Sequence, residues 1–455
     1  MPDCLLCPQC DQPLAELDVA CPQCGWIITP ELPTSLVPAP RANGNAVSSH
    51  RADLDAKWAA RRTASSSAVS LHRTDLDAKW LARRAALVTG TFTRGGQPAR
   101  QEPPDTGNAW PRLRDITASQ LQVDTQALPF ISYALQHAGI GAVLHLKIKN
   151  LGYQASPNLL VSLSLQPDDY GQPWETNIPE LEPGQTWERS NIVLPLNLDR
   201  LRRVVETERA ALKVVVSTSL EVLYSGEPVP IRVHAYNEWV MLPGFLQLVA
   251  VFVQSNDKAL QQIMVPAMDQ LERTAGTRSF SGYQRGSASF VLGMLEAIHA
   301  AMLDDTRLGY RNPPPSHEGT GQKLRLVSQT LGDRCGTCFD LAVLQAALWE
   351  HIGLAPVIVL VPGHALLACW MHSPPADRPA VVTMGQARDA TGQVLAALNA
   401  GALLPLNSVE AADRNQRFEA AVQHGAAILQ RALQSDGEVH FVDIEAARRR
   451  IKPLP

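Results

Sequence analysis

Residues 334–371 read RCGTCFDLAVLQAALWEHIGLAPVIVLVPGHALLACWM. Cys338 opens an apolar run in which Leu341, Leu344, Leu348 and Ile352 recur at three- and four-residue steps, the period of a helix. Gly336 and Thr337 precede it, and Thr337 is the residue type that caps a helix N-terminus. Gly353 stops the helix, and Pro356 to Val361 is a β-type run. Pro362 and Gly363 turn the chain so that His364 begins a second strand ending near Trp370. A cysteine at a helix N-terminus feels the positive end of the helix dipole, which favours its thiolate. A histidine on an adjacent strand can take up the proton, so Cys338 and His364 are the candidate nucleophile and base.

The pattern GTCFDLA, then GL-x-P, then PGHA and a Trp, resembles the core of transglutaminase-like proteins, a branch of the papain-like cysteine enzymes. AYNEW, VFVQSND, SGYQ and the run GYRNPPPSHEGTGQKLRL from Gly309 extend the likeness. Together they resemble the transglutaminase-like region of large bacterial helicase-related proteins associated with defence. The likeness runs from about residue 223 to the C-terminus. It implies an α+β papain-like domain over 236–455 and a cytoplasmic role in bacterial conflict, with any helicase motor on a separate partner or absent. It also implies a third group that orients the imidazole from a following strand. LLPLNSVE, 403–410, reads as that strand; Asn407 stands where the family has an acid, and Glu410 is the rival. Gln322, in the GTGQ segment, is the candidate oxyanion donor beside the Cys338 backbone N–H. Asp340 reads as helix-start charge. Cys335 and Cys338 also form a CxxC, but no strand directly precedes it in the thioredoxin manner; a disulfide that silences the nucleophile is the expectation kept for it.

The rest of the chain reads as separate modules. CPQC occurs at Cys7 to Cys10 and again at Cys21 to Cys24, ten residues apart. Cys7, Cys10, Cys21 and Cys24 are four thiolates for a tetrahedral structural Zn2+ in a small zinc ribbon, 1–27, with Cys4 able to replace Cys7. Residues 28–112, rich in Pro, Ala, Ser and Arg, read as a disordered linker. Within it HRADLDAKWAARR from His50 and HRTDLDAKWLARR from His72 repeat with a period of 22. Trp58 and Trp80 are the candidate docking anchors of two short helices for a protein partner. Residues 115–235 alternate in strand fashion at 142–150 and 158–165, with further strands expected at 192–196 and 211–217. They suggest a β-sandwich, and KIKNLGYQASPNLLVSL resembles an immunoglobulin-like module.

Composition narrows the partners. Forty basic against forty-four acidic residues leave a net charge of −4, no footprint for nucleic acid. The longest apolar stretch, Trp239 to Val253, is broken by Pro243 and Gly244 and is too short to span a membrane. Five of the eight cysteines fall in the first 24 residues, four of them as paired knuckles, usage that suits a reducing, cytoplasmic compartment. Two functions follow. One is a cysteine-dependent acyl-transfer enzyme, a peptidase or isopeptidase on a protein substrate, with Cys338, His364 and Asn407. The other is a non-catalytic adaptor that uses an inactive fold of the same type for protein binding.

Overall fold

The computed structural model describes residues 112–115, 121–242, 244–313, 321–384 and 388–455. Cys7, Cys10, Cys21, Cys24, Trp58 and Trp80 lie outside the described residues. What is described is a mixed α/β chain of several sheets and helices. Among the described residues no helix is long and apolar enough to cross a membrane.

The N-terminal half is two sheets. β1 (Arg112–Asp115), β2 (Leu121–Ala127), β4 (Val143–Asn150) and β7 (Thr186–Ile192) form one, in the order β1-β2-β4-β7. β3 (Phe130–Ile131), β5 (Leu159–Gln166), β6 (Trp174–Ile178), β8 (Glu208–Ser217), β9 (Val222–Ser225) and β10 (Val229–Val233) form the other. Every pairing is antiparallel except β3 with β10, which is parallel. β2, β5 and β8 each bury alternate residues, as a strand with one face on a core must. The expected strand at 192–196 is corrected: the strand is Thr186–Ile192, and Leu196 only bridges to Gly171. β7 lies at the sheet edge and most of its side chains are exposed, so its sequence lacks the alternation that reveals a half-buried strand.

Beyond residue 236 the chain changes architecture. The apolar stretch from Trp239 folds into β11 (Glu238–Val240) and a buried 3-10 helix, Leu246–Val251. α1 (Gln261–Ala275) and α2 (Ala288–Ala301) follow and pack together. β12 (Gly309–Tyr310) and β13 (Gly321–Lys323) precede the short helix α3 (Val327–Asp333), β14 (Cys335–Gly336) and α4 (Cys338–His351). Then come β15 (Pro356–Val361), β16 (His364–Trp370), β17 (Val381–Thr383), α5 (Arg388–Ala400) and β18 (Leu403–Leu406). A 3-10 turn at Ser408–Ala412, α6 (Phe418–Gln434), β19 (His440–Asp443) and α7 (Ile444–Ala447) complete the fold. The central sheet runs β17-β19-β15-β16-β18, all antiparallel.

α4 packs on β15 and β16 and is buried from Phe339 to Trp349, on every face rather than along one stripe. α6 is amphipathic and lies against β18. It comes so close because residue 425 is glycine: a Cβ there would stand 2.6 Å from the Leu406 backbone and 2.7 Å from the Asn407 nitrogen. The Asn407 N–H donates to the Ala421 carbonyl at 2.9 Å, so helix and strand end are joined backbone to backbone. The two halves share one core. Phe130 packs edge-on to Phe245, Lys323 pairs with Glu206 at 2.6 Å, and His137 Nε2 bonds the Pro453 carbonyl at 2.9 Å.

Two glycine substitutions are therefore expected to act in opposite directions. Gly425→Ala forces α6 off β18 and should cost about 1–3 kcal/mol. Gly392→Ala, at an exposed position within α5 where a Cβ meets nothing within 4 Å, should stabilise by up to about 1 kcal/mol. Denaturant midpoints of the two variants check both signs.

Candidate active site

The site begins with a helix cap. Thr337 Oγ1 accepts from the Asp340 N–H at 3.0 Å, and Asp340 Oδ2 accepts from the Thr337 N–H at 2.9 Å. This reciprocal pair satisfies two backbone donors at the helix start and makes Cys338 the first helical residue. Asp340 does more than the helix-start charge read from the sequence. Fully buried, it also accepts from the Arg325 backbone N–H at 2.8 Å and from Arg325 Nη1 at 3.0 Å. One carboxylate thus ties α4 to the segment that follows β13.

His364 is placed by the hairpin. Val361 pairs directly with His364, and Gly363 at φ +70° makes the left-handed bend that a two-residue turn needs after Pro362. His364 Nε2 donates to Asn407 Oδ1 at 2.9 Å. Asn407 is fully buried, and its Nδ2 donates to Glu410 Oε1 at 3.2 Å. A carboxylate only accepts, so it must face the amide nitrogen and leave the amide oxygen toward His364. In the neutral imidazole the proton then sits on Nε2, and Nδ1 carries the free lone pair. Nδ1 is buried and no group meets it with hydrogen-bond geometry, while the Cys338 sulfur lies close enough that thiol and ring shift each other's protonation.

The electrostatics follow from this geometry. Burial alone would raise the Cys338 pKa, but the charge of the adjacent His364 ring, with the Ala365 backbone N–H, holds it below the ordinary thiol value. Burial alone would lower the His364 pKa, yet the Cys338 charge, then Asn407 and Glu410, hold it above the ordinary imidazole value. The two shifts belong to one coupled pair, and both favour thiolate beside imidazolium. Cys369 is different: burial pushes its thiol pKa up, and its Sγ donates to the Trp370 carbonyl at 3.3 Å. Cys335 is a half-buried free cysteine on β14, and the Arg311 guanidinium approaches its sulfur at 3.7 Å.

The structure brings Cys338, His364, Asn407 and Glu410 together. The expected strand over 403–410 is corrected, for it ends at Leu406 and Asn407 starts the 3-10 turn. That turn aligns residues three apart, so Asn407 and Glu410 act in series rather than as rivals. Gln322 lies on β13 opposite Trp239, half-buried, on the same face of the two-stranded ribbon. Trp239 packs edge-on against Phe339, with ring centroids 5.0 Å apart, and its indole N–H is buried without a partner. Sequence reasoning missed that donor and also missed His424, whose Nδ1 lies 2.7 Å from Glu410 Oε1. Among the described residues no group of three or more His, Cys, Asp or Glu is placed to hold a metal ion.

No family model matches the chain, and no curated protein matches it. Among solved structures, the chain is similar to the X-ray structure of Northeast Structural Genomics Consortium target SoR45. The identity is 10% and the TM-score 0.12, over 30% of this chain and 81% of that one, and at that level the similarity carries no argument.

Removing the Asp340 carboxylate should leave the largely buried Arg325 with only its longer 3.5 Å pair to the exposed Asp333, and the helix start without its cap. Asp340→Ala is expected to cost about 3–5 kcal/mol, read as a lowered thermal midpoint. Unchanged stability would mean that the carboxylate does not anchor the helix start.

Proposed function

We propose that the chain is a transglutaminase-like, papain-like cysteine enzyme that performs acyl transfer on a protein substrate, as a peptidase or isopeptidase. One observation carries the reading: Asn407 holds Nε2 of His364, which leaves Nδ1 for the sulfur of a cysteine at a helix N-terminus.

In the proposed reaction the Cys338 thiolate attacks an amide or isopeptide carbonyl, and the carbonyl π electrons move to oxygen. The Cys338 backbone N–H, one of the donors a helix leaves unpaired in its first turn, faces that developing charge, with Gln322 as the second candidate donor. Imidazolium at His364 gives its proton to the departing amine, the C–N bond breaks, and a thioester forms on Cys338. His364, now neutral, takes a proton from water, whose oxygen attacks the thioester. The acid product leaves and the thiolate–imidazolium pair is restored. An amine in place of water gives transamidation. Asn407 keeps the imidazole in the tautomer and plane that both halves of the cycle require.

The sequence likeness suggests a cytoplasmic setting in bacterial defence. The structural Zn2+ on Cys7, Cys10, Cys21 and Cys24 and docking through Trp58 and Trp80 are proposals from sequence alone, and neither enters a chemical step.

Alkylation by iodoacetamide tests the reading without a known substrate. The neutral reagent reports thiolate, so wild-type Cys338 should react rapidly at about pH 6, well below an ordinary thiol pKa of about 8.5. His364→Ala should move that rise up to the ordinary thiol range. Asn407→Ala should slow the reaction at pH 6 by about tenfold or more. Cys338→Ala should abolish labelling at this position, as mass spectrometry would show. A Cys338 rate at pH 6 indifferent to His364→Ala contradicts the enzyme and leaves the adaptor reading.

A further inference from the structure

Behind Asn407 the hydrogen bonds continue to the surface through two residues that the acyl-transfer steps do not use. Glu410, 5% exposed, accepts from Asn407 Nδ2 at 3.2 Å and from His424 Nδ1 at 2.7 Å through the same oxygen. His424 sits on α6 with its side chain 40% exposed, so solvent protons reach it. The series from sulfur to solvent is Cys338, His364, Asn407, Glu410, His424.

We infer that Glu410 and His424 are positioning residues for this site: Glu410 locks the Asn407 amide with its oxygen toward His364, and His424 governs how much of the Glu410 charge His364 feels. The inference rests on the cysteine acyl-transfer reading.

The argument is one of donors, acceptors and charge. An amide is symmetric enough to sit either way round, and only a strict acceptor at its far end decides which way. Turned over, Asn407 would present N–H groups to His364, and Nε2 could no longer donate. Glu410 also acts at a distance, because its negative charge favours imidazolium at His364. His424 opposes that action while it is protonated. The hydrogen bond to Glu410 holds the His424 pKa above the ordinary imidazole value, against the opposing pull of burial. Below that pKa the Glu410–His424 pair is neutral as a unit. As pH rises through it, His424 loses its proton and the Glu410 charge acts on His364 uncompensated, so His364 keeps its own proton to higher pH.

Few other charges intrude. α6 packs on β18, the 3-10 turn, α2 and β16. β18 is LLPL and carries no titratable group, and the turn supplies Glu410. α2 supplies half-buried Glu296, and also His299, which burial holds near pKa 4, hence neutral, against Phe418. β16 supplies His364. α6 itself carries Glu419 and Arg431, and the preceding connection carries half-buried Asp413 with exposed Arg414 and Arg417.

The test is the pH profile of Cys338 alkylation by iodoacetate in the full-length protein. This anionic reagent needs thiolate and is attracted by imidazolium, so its rate is bell-shaped and the alkaline limb reports His364. The thiolate forms the S–C bond and iodide leaves with the C–I electron pair. Glu410→Gln should move the alkaline limb down by roughly half a pH unit to one unit. His424→Lys, which stays cationic through the limb and so keeps the Glu410 charge compensated, should move it down by a similar amount, whereas His424→Gln should leave it where the wild type has it. A residue with a merely structural role would lower the thermal midpoint without moving the limb. Should Glu410→Gln fail to fold, the partly exposed His424→Lys still decides. A bell that His424→Lys leaves unmoved overturns the inference alone. A wild-type profile identical to that of His364→Ala overturns the Cys338–His364 reading itself, and the inference with it.

Discussion

The buried carboxylate of Asp340 is the constraint on which the site depends. It closes the cap that makes Cys338 the first residue of α4, and it holds the Arg325 backbone and guanidinium at the same point. The helix is buried on every face from Phe339 to Trp349, so the directional bonds that register it lie at its ends, Asp340 at the start and Glu350 with Arg448 at the finish. With the start fixed, the sheet beneath α4 sets the rest. β16 begins at His364 because the Pro362-Gly363 turn is only two residues long, and β18 runs alongside β16 to deliver Asn407.

The 3-10 turn after β18 converts two sequence candidates into consecutive members of one network. On a strand, residues 407 and 410 would point to opposite faces, since their separation is odd. In a three-residue repeat they eclipse, and the Glu410 carboxylate meets the Asn407 amide. An amide next to the imidazole brings no charge of its own to the contact, whereas a carboxylate one step further contributes charge from a distance. That combination fixes the tautomer without placing an anion directly against the ring.

Much of this was legible in the sequence, and the limits have physical causes. Thr337 as cap, Gly353 as stop and the strands from Pro356 and His364 are local signals carried by residue type and period, and they stand where the pattern puts them. The alternation of β5 and β8 was equally visible because one face of each is buried. β7, a polar edge strand, left no such trace, and its position was misread by several residues. Asp340 looked like ordinary helix-start charge because its partner Arg325 lies fifteen residues away and meets it only through the fold. His424 was hidden for the same reason: the period of α6 marks its apolar face, and nothing in that period says which polar residue will reach Glu410. Local chemistry is written locally, whereas a network that crosses three elements exists only once they pack.

The central claim is that Cys338 rests as a thiolate against a protonated His364. Ultraviolet difference absorbance of the thiolate, wild type minus Cys338→Ala across pH, measures this directly in the resting protein. The account predicts a thiolate signal already present below the ordinary thiol range, and its loss there in His364→Ala. A signal that appears only in the ordinary thiol range, and in the same place with or without His364, would contradict it.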